Sequence, residues 1–167
     1  MPLPVVERLR AERQTLLAAL DRCVTAAGEV DLIAFDEFRH RLVWLIAVEQ
    51  RILLPGLVAQ LGALKFQHGM QRDHADLITL CVASPNPEWV GNLAELLVNH
   101  FELEECPDGL LDLVTLHLAN QPAIAEAIER LQPPKLPRFE AGAGVREQLR
   151  AVLSEAGLSA PPNRPER

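Results

Sequence analysis

Apolar residues recur at three- and four-residue spacing through long segments that Pro and Gly cut apart, and no run of strict alternation is long enough to propose a sheet. The pattern predicts an all-α fold. A first helix covers about residues 4–27 and stops at Gly28. A second follows Asp31, a plausible N-cap, to about residue 54, where Pro55-Gly56 interrupts it, with a further turn to about residue 61. The third covers about residues 66–82. Asn86 as N-cap, Pro87 at the first helical position and Glu88 in the first turn open the fourth, which runs to about residue 105. Four helices of roughly 17 to 24 residues with short connections suit an up-down-up-down four-helix bundle, assigned to residues 1–106.

Beyond the bundle, short helices are expected at about residues 110–119 and 122–131, the second opened by Asn120. A Pro-rich joint at 132–137 and a short helix near 145–156 complete a C-terminal extension, residues 107–158, packed on or near the bundle. Residues 159–167 read as a disordered tail.

Composition sets limits on function. The chain has 167 residues, 49 % of them apolar, enough for one domain with a sizeable core. Its formal charge of -7 argues against nucleic acid, which demands clustered Lys and Arg. The longest uninterrupted apolar run, residues 42–48, is far short of the roughly 20 residues of a membrane span. Glu7 and Arg8 leave no apolar signal-peptide core at the start. The expectation is therefore a cytoplasmic protein with neither nucleic acid nor membrane as a partner. Cys23, Cys81 and Cys106 are dispersed, which suggests buried or half-buried thiols and not a disulfide framework or a zinc knuckle. Nucleotide-binding glycine motifs and the G-x-S-x-G nucleophile pattern are absent from the sequence.

Each apolar stripe is broken by residues that do not belong in a core. In the first helix the stripe Val6, Leu9, Leu16, Leu20, Val24 passes through Arg13; in the second, Phe35, Phe38, Leu42, Leu45 and Ile52 pass through Glu49. The third carries His74 among Phe66, Met70, Leu77 and Cys81. In the fourth, Leu93, Leu96, Leu97 and Leu103 share a face with His100, and Glu104 lies one turn later. Counting from the turns puts Arg13 and Glu49 at similar depth. His74 and His100 differ by about 7 Å at 1.5 Å per residue, which calls for a longer third helix or a fourth that starts near Val90. His40 is out of phase with Glu49, and His68 and His117 are placed in a turn and in the C-terminal region.

Glu, His, His and Glu converging inside a bundle present the imidazole nitrogens and charged oxygens that a divalent cation takes. Two buried carboxylates without a counter-charge would cost several kcal/mol. Either a metal or Arg13 can supply that charge.

At these residues the sequence resembles the hemerythrin-like, or HHE cation-binding, family of four-helix bundles that hold a non-haem iron pair. The segments that carry the resemblance are Glu49-Gln-Arg-Ile-Leu-Leu-Pro55, Asp73-His74-Ala-Asp-Leu and His100-Phe-Glu-Leu-Glu104-Glu105, within about residues 4–106. The family's second and fourth helices each carry a His followed by a bridging acid, and its first and third each supply a further His. The resemblance implies Glu49, His74, His100 and Glu104 as ligands, with Glu105 as an alternate to Glu104. Arg13, Leu45 and Met70 stand where the family has, or in some members has, histidines. What is implied is a degenerate site: one divalent cation, iron foremost, or none, with Arg13 as the counter-ion in place of a second cation.

Three functions follow as expectations. One is a non-enzymatic cation-binding or sensing protein with an incomplete di-iron site and an unidentified small-molecule ligand. Another is a metal-free structural or interaction bundle, with residues 107–167 mediating homodimerisation or partner binding. A metal-dependent oxidase or hydrolase is the third. The acidity is also local: residues 83–131 hold 1 base against 9 acids, whereas residues 132–167 hold 6 bases against 4 acids. The basic end of the chain could pair with the segment around His100.

Overall fold

A computed structural model describes residues 4–82 and 84–136. The described chain is all-helical: α1 (Val5–Asp21), α2 (Leu32–Val48), a π-helical turn (Glu49–Leu53), α3 (Leu54–Leu61), α4 (Gln67–Val82), α5 (Pro87–Glu105), α6 (Leu110–His117) and α7 (Pro122–Arg130). The expected helix at 145–156 and the expected tail at 159–167 lie outside the described residues.

Helix α1 packs on α2 and α5, and α4 packs on α5 and α2. α6 lies against α5, α3 and α1, and α7 against the π turn. Between them the helices bury Leu16, Leu20, Phe35, Phe38, Leu42, Ile46, Leu77, Ile78, Leu93 and Leu97, each worth about 1.5–3 kcal/mol of apolar transfer.

Four local expectations need correction. The first helix ends at Asp21, not near residue 27. Residues 22–31 instead form a tight loop in which Val24 and Val30 make an isolated bridge, Asp31 N–H donates to the Cys23 carbonyl, and Gly28 turns the chain at φ 78°. β-Branched Val24 and Thr25 have weak helix preference and suit this extended pairing.

Pro55-Gly56 does not interrupt the second helix. Leu32–Leu61 is one continuous helix, and the irregularity sits before the proline. Pro55 lacks the amide that would bond back four residues, and its ring crowds the carbonyl there. The chain answers with a π turn, in which Leu54 N–H donates to the Glu49 carbonyl five residues back. Gly56 serves packing: a Cβ there would meet Leu118 Cδ1 at 3.2 Å and Ile124 Cδ1 at 3.6 Å. This helix is also long and apolar enough to cross a bilayer by length and composition, which a count of unbroken apolar runs overlooks; 56 % of its most apolar window is buried inside the protein.

Neither remedy for the 7 Å offset is used. α4 ends at Val82 and α5 starts at Pro87, capped by Asn86, whose side chain accepts from Trp89 N–H at 2.9 Å. Asn86 at the start of α5 has extended backbone, and His74 and His100 meet all the same, with Nε2 atoms 3.0 Å apart. Last, Leu103 is 63 % exposed, and the buried face of α5 is Val90, Leu93, Leu97, His100, Phe101 and Glu104. Smaller shifts are that Gln121, not Asn120, caps α7, that His68 lies in the first turn of α4, and that Cys106 is exposed.

Candidate metal centre

Helical period alone puts four polar residues on core-facing stripes. Arg13 lies between Leu9 and Leu16 on α1, His74 between Met70 and Leu77 on α4, and His100 and Glu104 one turn apart on α5 below Leu97. Glu49 opens the π turn, one turn beyond Leu45. All five polar residues are at most 4 % exposed.

Glu49, His74, His100 and Glu104 each offer one donor atom, and the four atoms lie within 4.8 Å of one another. The two imidazoles meet edge to face, with Nε2 atoms 3.0 Å apart. Glu49 Oε2 lies 3.1 Å from His74 Nε2, and Glu104 Oε1 lies 3.2 Å from His100 Nε2. The other oxygen of each carboxylate turns to Arg13, whose Nη2 is 3.3 Å from Glu49 Oε1 and in direct contact with Glu104 Oε2. Each carboxylate thus reaches an imidazole with one oxygen and the guanidinium with the other.

Two residues outside this group aim the rings. His100 Nδ1 donates to Asp73 Oδ2 at 3.3 Å, and the Gln50 amide meets His74 Nδ1 at 2.6 Å. Fixing Nδ1 from outside directs both Nε2 atoms inward. The bond from His100 Nδ1 to a carboxylate is the arrangement that orients histidine ligands in metal sites. The Gln50 amide nitrogen instead donates to His74 Nδ1, and a turn of that amide would let His74 donate in the same way. Neither Asp73 nor Gln50 interrupts an apolar stripe in the sequence. Asp73 adjoins His74 in the chain but bonds the histidine of another helix, so spacing carried no signal for it. Gln50 is brought to bear inside the π turn, which spacing did not reveal either.

Charge is balanced internally. Burial raises the Glu49 carboxyl, but the hydrogen bond from His74 and the charges of His74, Arg13 and His100 outweigh it and hold it at about 2. Burial and the neighbouring Glu49 charge push Glu104 upward. Burial lowers His100, yet its bond to Asp73 and the close carboxylates of Glu104 and Glu49 carry it to about 10. Asp73 is drawn down, chiefly by its bond from His100. Without a bound ion, the positive charge of Arg13 and of the raised His100 therefore faces an ionised Glu49, while Glu104 is the carboxyl pushed toward its neutral form.

That balance leaves polar atoms unsatisfied. Both Glu104 oxygens and Arg13 Nε and Nη1 are buried without a hydrogen bond of acceptable geometry, despite their ionic contacts. The facing Nε2 atoms have room for one proton between them. A cation among the four donors would satisfy both inward imidazole nitrogens and the Glu104 oxygen that faces them, so the residues present fit a metal.

Glu105 stands apart. Its side chain is 38 % exposed, it pairs with Arg10 at 3.0 Å, and it reaches Arg13 Nη1 only at 3.5 Å. His40 Nδ1 bonds the Asp36 carbonyl at 2.7 Å, while His68 is exposed and His117 half-buried. Leu45 and Met70 are buried apolar residues of the core. Compared with known proteins, the chain matches no family model, no curated protein and no solved structure.

Proposed function

We propose that this chain is a hemerythrin-like protein whose α1, α2–α3, α4 and α5 form an up-down-up-down four-helix bundle holding one divalent cation, iron foremost. Glu49, His74, His100 and Glu104 are its ligands. The observation that carries the reading is the convergence of two carboxylates and two inward-facing imidazoles from three helical segments within 4.8 Å, wholly buried. Arg13 supplies one further positive charge at the same carboxylates, so the cluster takes one ion and not two.

The role is binding or sensing. Four protein donors fill a tetrahedral set, whereas catalytic metal sites keep a position open for water or substrate. The groove of about 470 Å³ between the start of α1 and α7, lined by Val5, Arg8, Pro122 and Ala125, touches none of the ligands. A bound cation would be held by Glu49 of the π turn, His74 of α4 and His100 and Glu104 of α5, would take the place of the His100 proton, and would tie these three segments together.

A second reading is favoured by the internal charge balance: a metal-free structural bundle in which Arg13 and His100 neutralise Glu49 and Glu104. Metal analysis of protein purified without chelator separates the two. The cation-binding reading expects about one ion per chain, iron first, restored by ferrous iron after chelation. No copurifying metal and no rebinding gives the site to the salt-bridge reading, and two ions per chain contradict both.

A further inference from the structure

The charge built into the cluster does not suit every cation equally. We infer that Arg13 sets the valence of the site: it matches a divalent ion and works against a trivalent one, so that bound iron is held in the ferrous state. This rests on the reading of the cluster as a single-cation site.

With a metal in place both imidazoles are neutral. Glu49 and Glu104 are negative ligands, Asp73 is a third negative group through its bond from His100 Nδ1, and Arg13 is the positive one. Arg10 and Glu105 form an exposed pair that cancels itself. A divalent ion brings these charges close to balance, the Asp73 carboxylate being 30 % exposed and therefore partly screened. A trivalent ion adds one more positive charge beside Arg13, in a place where the four ligands and Arg13 are at most 4 % exposed.

Arg13 has little means of avoiding this contest. A guanidinium does not give up its proton in a protein. The side chain is packed over the Phe101 ring at 5.1 Å and touches the far oxygens of the same two carboxylates that reach the imidazoles. Its charge is therefore only a carboxylate's width from the ion. At that range, with an effective dielectric of about 20, one unit of charge changes an equilibrium by more than about tenfold. Neutralising Arg13 shifts that balance from a divalent toward a trivalent ion.

The test compares the affinity of the full chain for Zn²⁺ and Ga³⁺, both redox-inert, in titrations buffered with nitrilotriacetate. The wild type favours Zn²⁺, Arg13→Gln moves the Ga³⁺-to-Zn²⁺ affinity ratio toward Ga³⁺ by about tenfold or more, and Arg13→Lys keeps the wild-type preference. Should Arg13→Gln not fold, the exposed Glu105→Gln removes a negative charge beside Arg13 and moves the ratio the opposite way, by about threefold. A ratio that stays within about twofold of wild type in Arg13→Gln, or in Glu105→Gln where that variant stands in, overturns the inference while leaving the single-cation site intact. A wild type that binds neither ion overturns the cation-binding reading itself.

Discussion

Glu104 and Glu49 arrive at one buried centre from helices built in different ways. α5 delivers Glu104 by regular spacing, one turn after His100, on a face that also carries Leu93 and Leu97. Glu49 has a leucine one turn before it and opens a π turn whose next residue, Gln50, reaches the ring of His74. Their electrostatics diverge as well: the Glu49 carboxyl is held at about 2, while Glu104 is pushed upward by burial and by Glu49 itself. One carboxylate is therefore a fixed charge supported by its surroundings, and the other is an underbonded group that gains most from a cation.

The largest effect that can break this contrast comes from the charge both glutamates share. Arg13→Leu should destabilise chelator-treated protein by about 3–5 kcal/mol, because two buried carboxylates lose their partner. Added divalent metal should restore much of that loss, as read in urea unfolding with and without Zn²⁺. If the two glutamates differ as described, Glu49→Gln costs the metal-free protein about 3 kcal/mol and Glu104→Gln about 1 kcal/mol or less. Equal losses would erase the distinction.

A pH series of the chelated protein sharpens the contrast further. The lowered Glu49 carboxyl contributes stability that is present above about 4.5 and is lost as the pH falls toward about 2. The raised His100 contributes stability that is present below about 6.5 and is lost as the pH rises through about 10. Urea midpoints should accordingly fall as the pH drops below about 4.5, decline from about pH 4.5 upward as the raised Glu104 carboxyl is forced to ionise, and fall further above about 6.5, with His100→Asn removing the His100 part of the alkaline limb. The smallest expected effect is that of Pro55→Ala. Returning an amide to the helix removes one reason for the π turn, so metal affinity should drop a few-fold while stability moves by no more than about 1 kcal/mol.

The same contrast explains what could be read from the sequence. Regular helices were legible: the stripes matched the core on α1 as far as Leu20 and on α4 from Met70, Asn86-Pro87-Glu88 marked the start of α5, and Arg13, Glu49, His74, His100 and Glu104 stood out because each interrupts such a stripe. Where backbone departs from α geometry the sequence was opaque. Pro55 read as a break, because the compensating π turn is a cooperative answer of the whole helix and not a property of one residue. The apolar spacing runs on past the true end of α1 at Asp21, since the Val24–Val30 bridge depends on pairing across a loop. Leu103 was assigned inward by hydrophobicity although the phase of α5 turns it to solvent. The Asp73–His100 bond joins two helices and leaves no mark in local spacing.

The central claim is that one cation sits among Glu49, His74, His100 and Glu104, with Arg13 beside it. Crystals of the protein grown with Mn²⁺ and measured for anomalous scattering test it most directly. The account predicts a single strong peak per chain within bonding distance of both Nε2 atoms and of one oxygen from each carboxylate. Two peaks bridged by the carboxylates, a peak elsewhere on the chain, or none at saturating metal would contradict it.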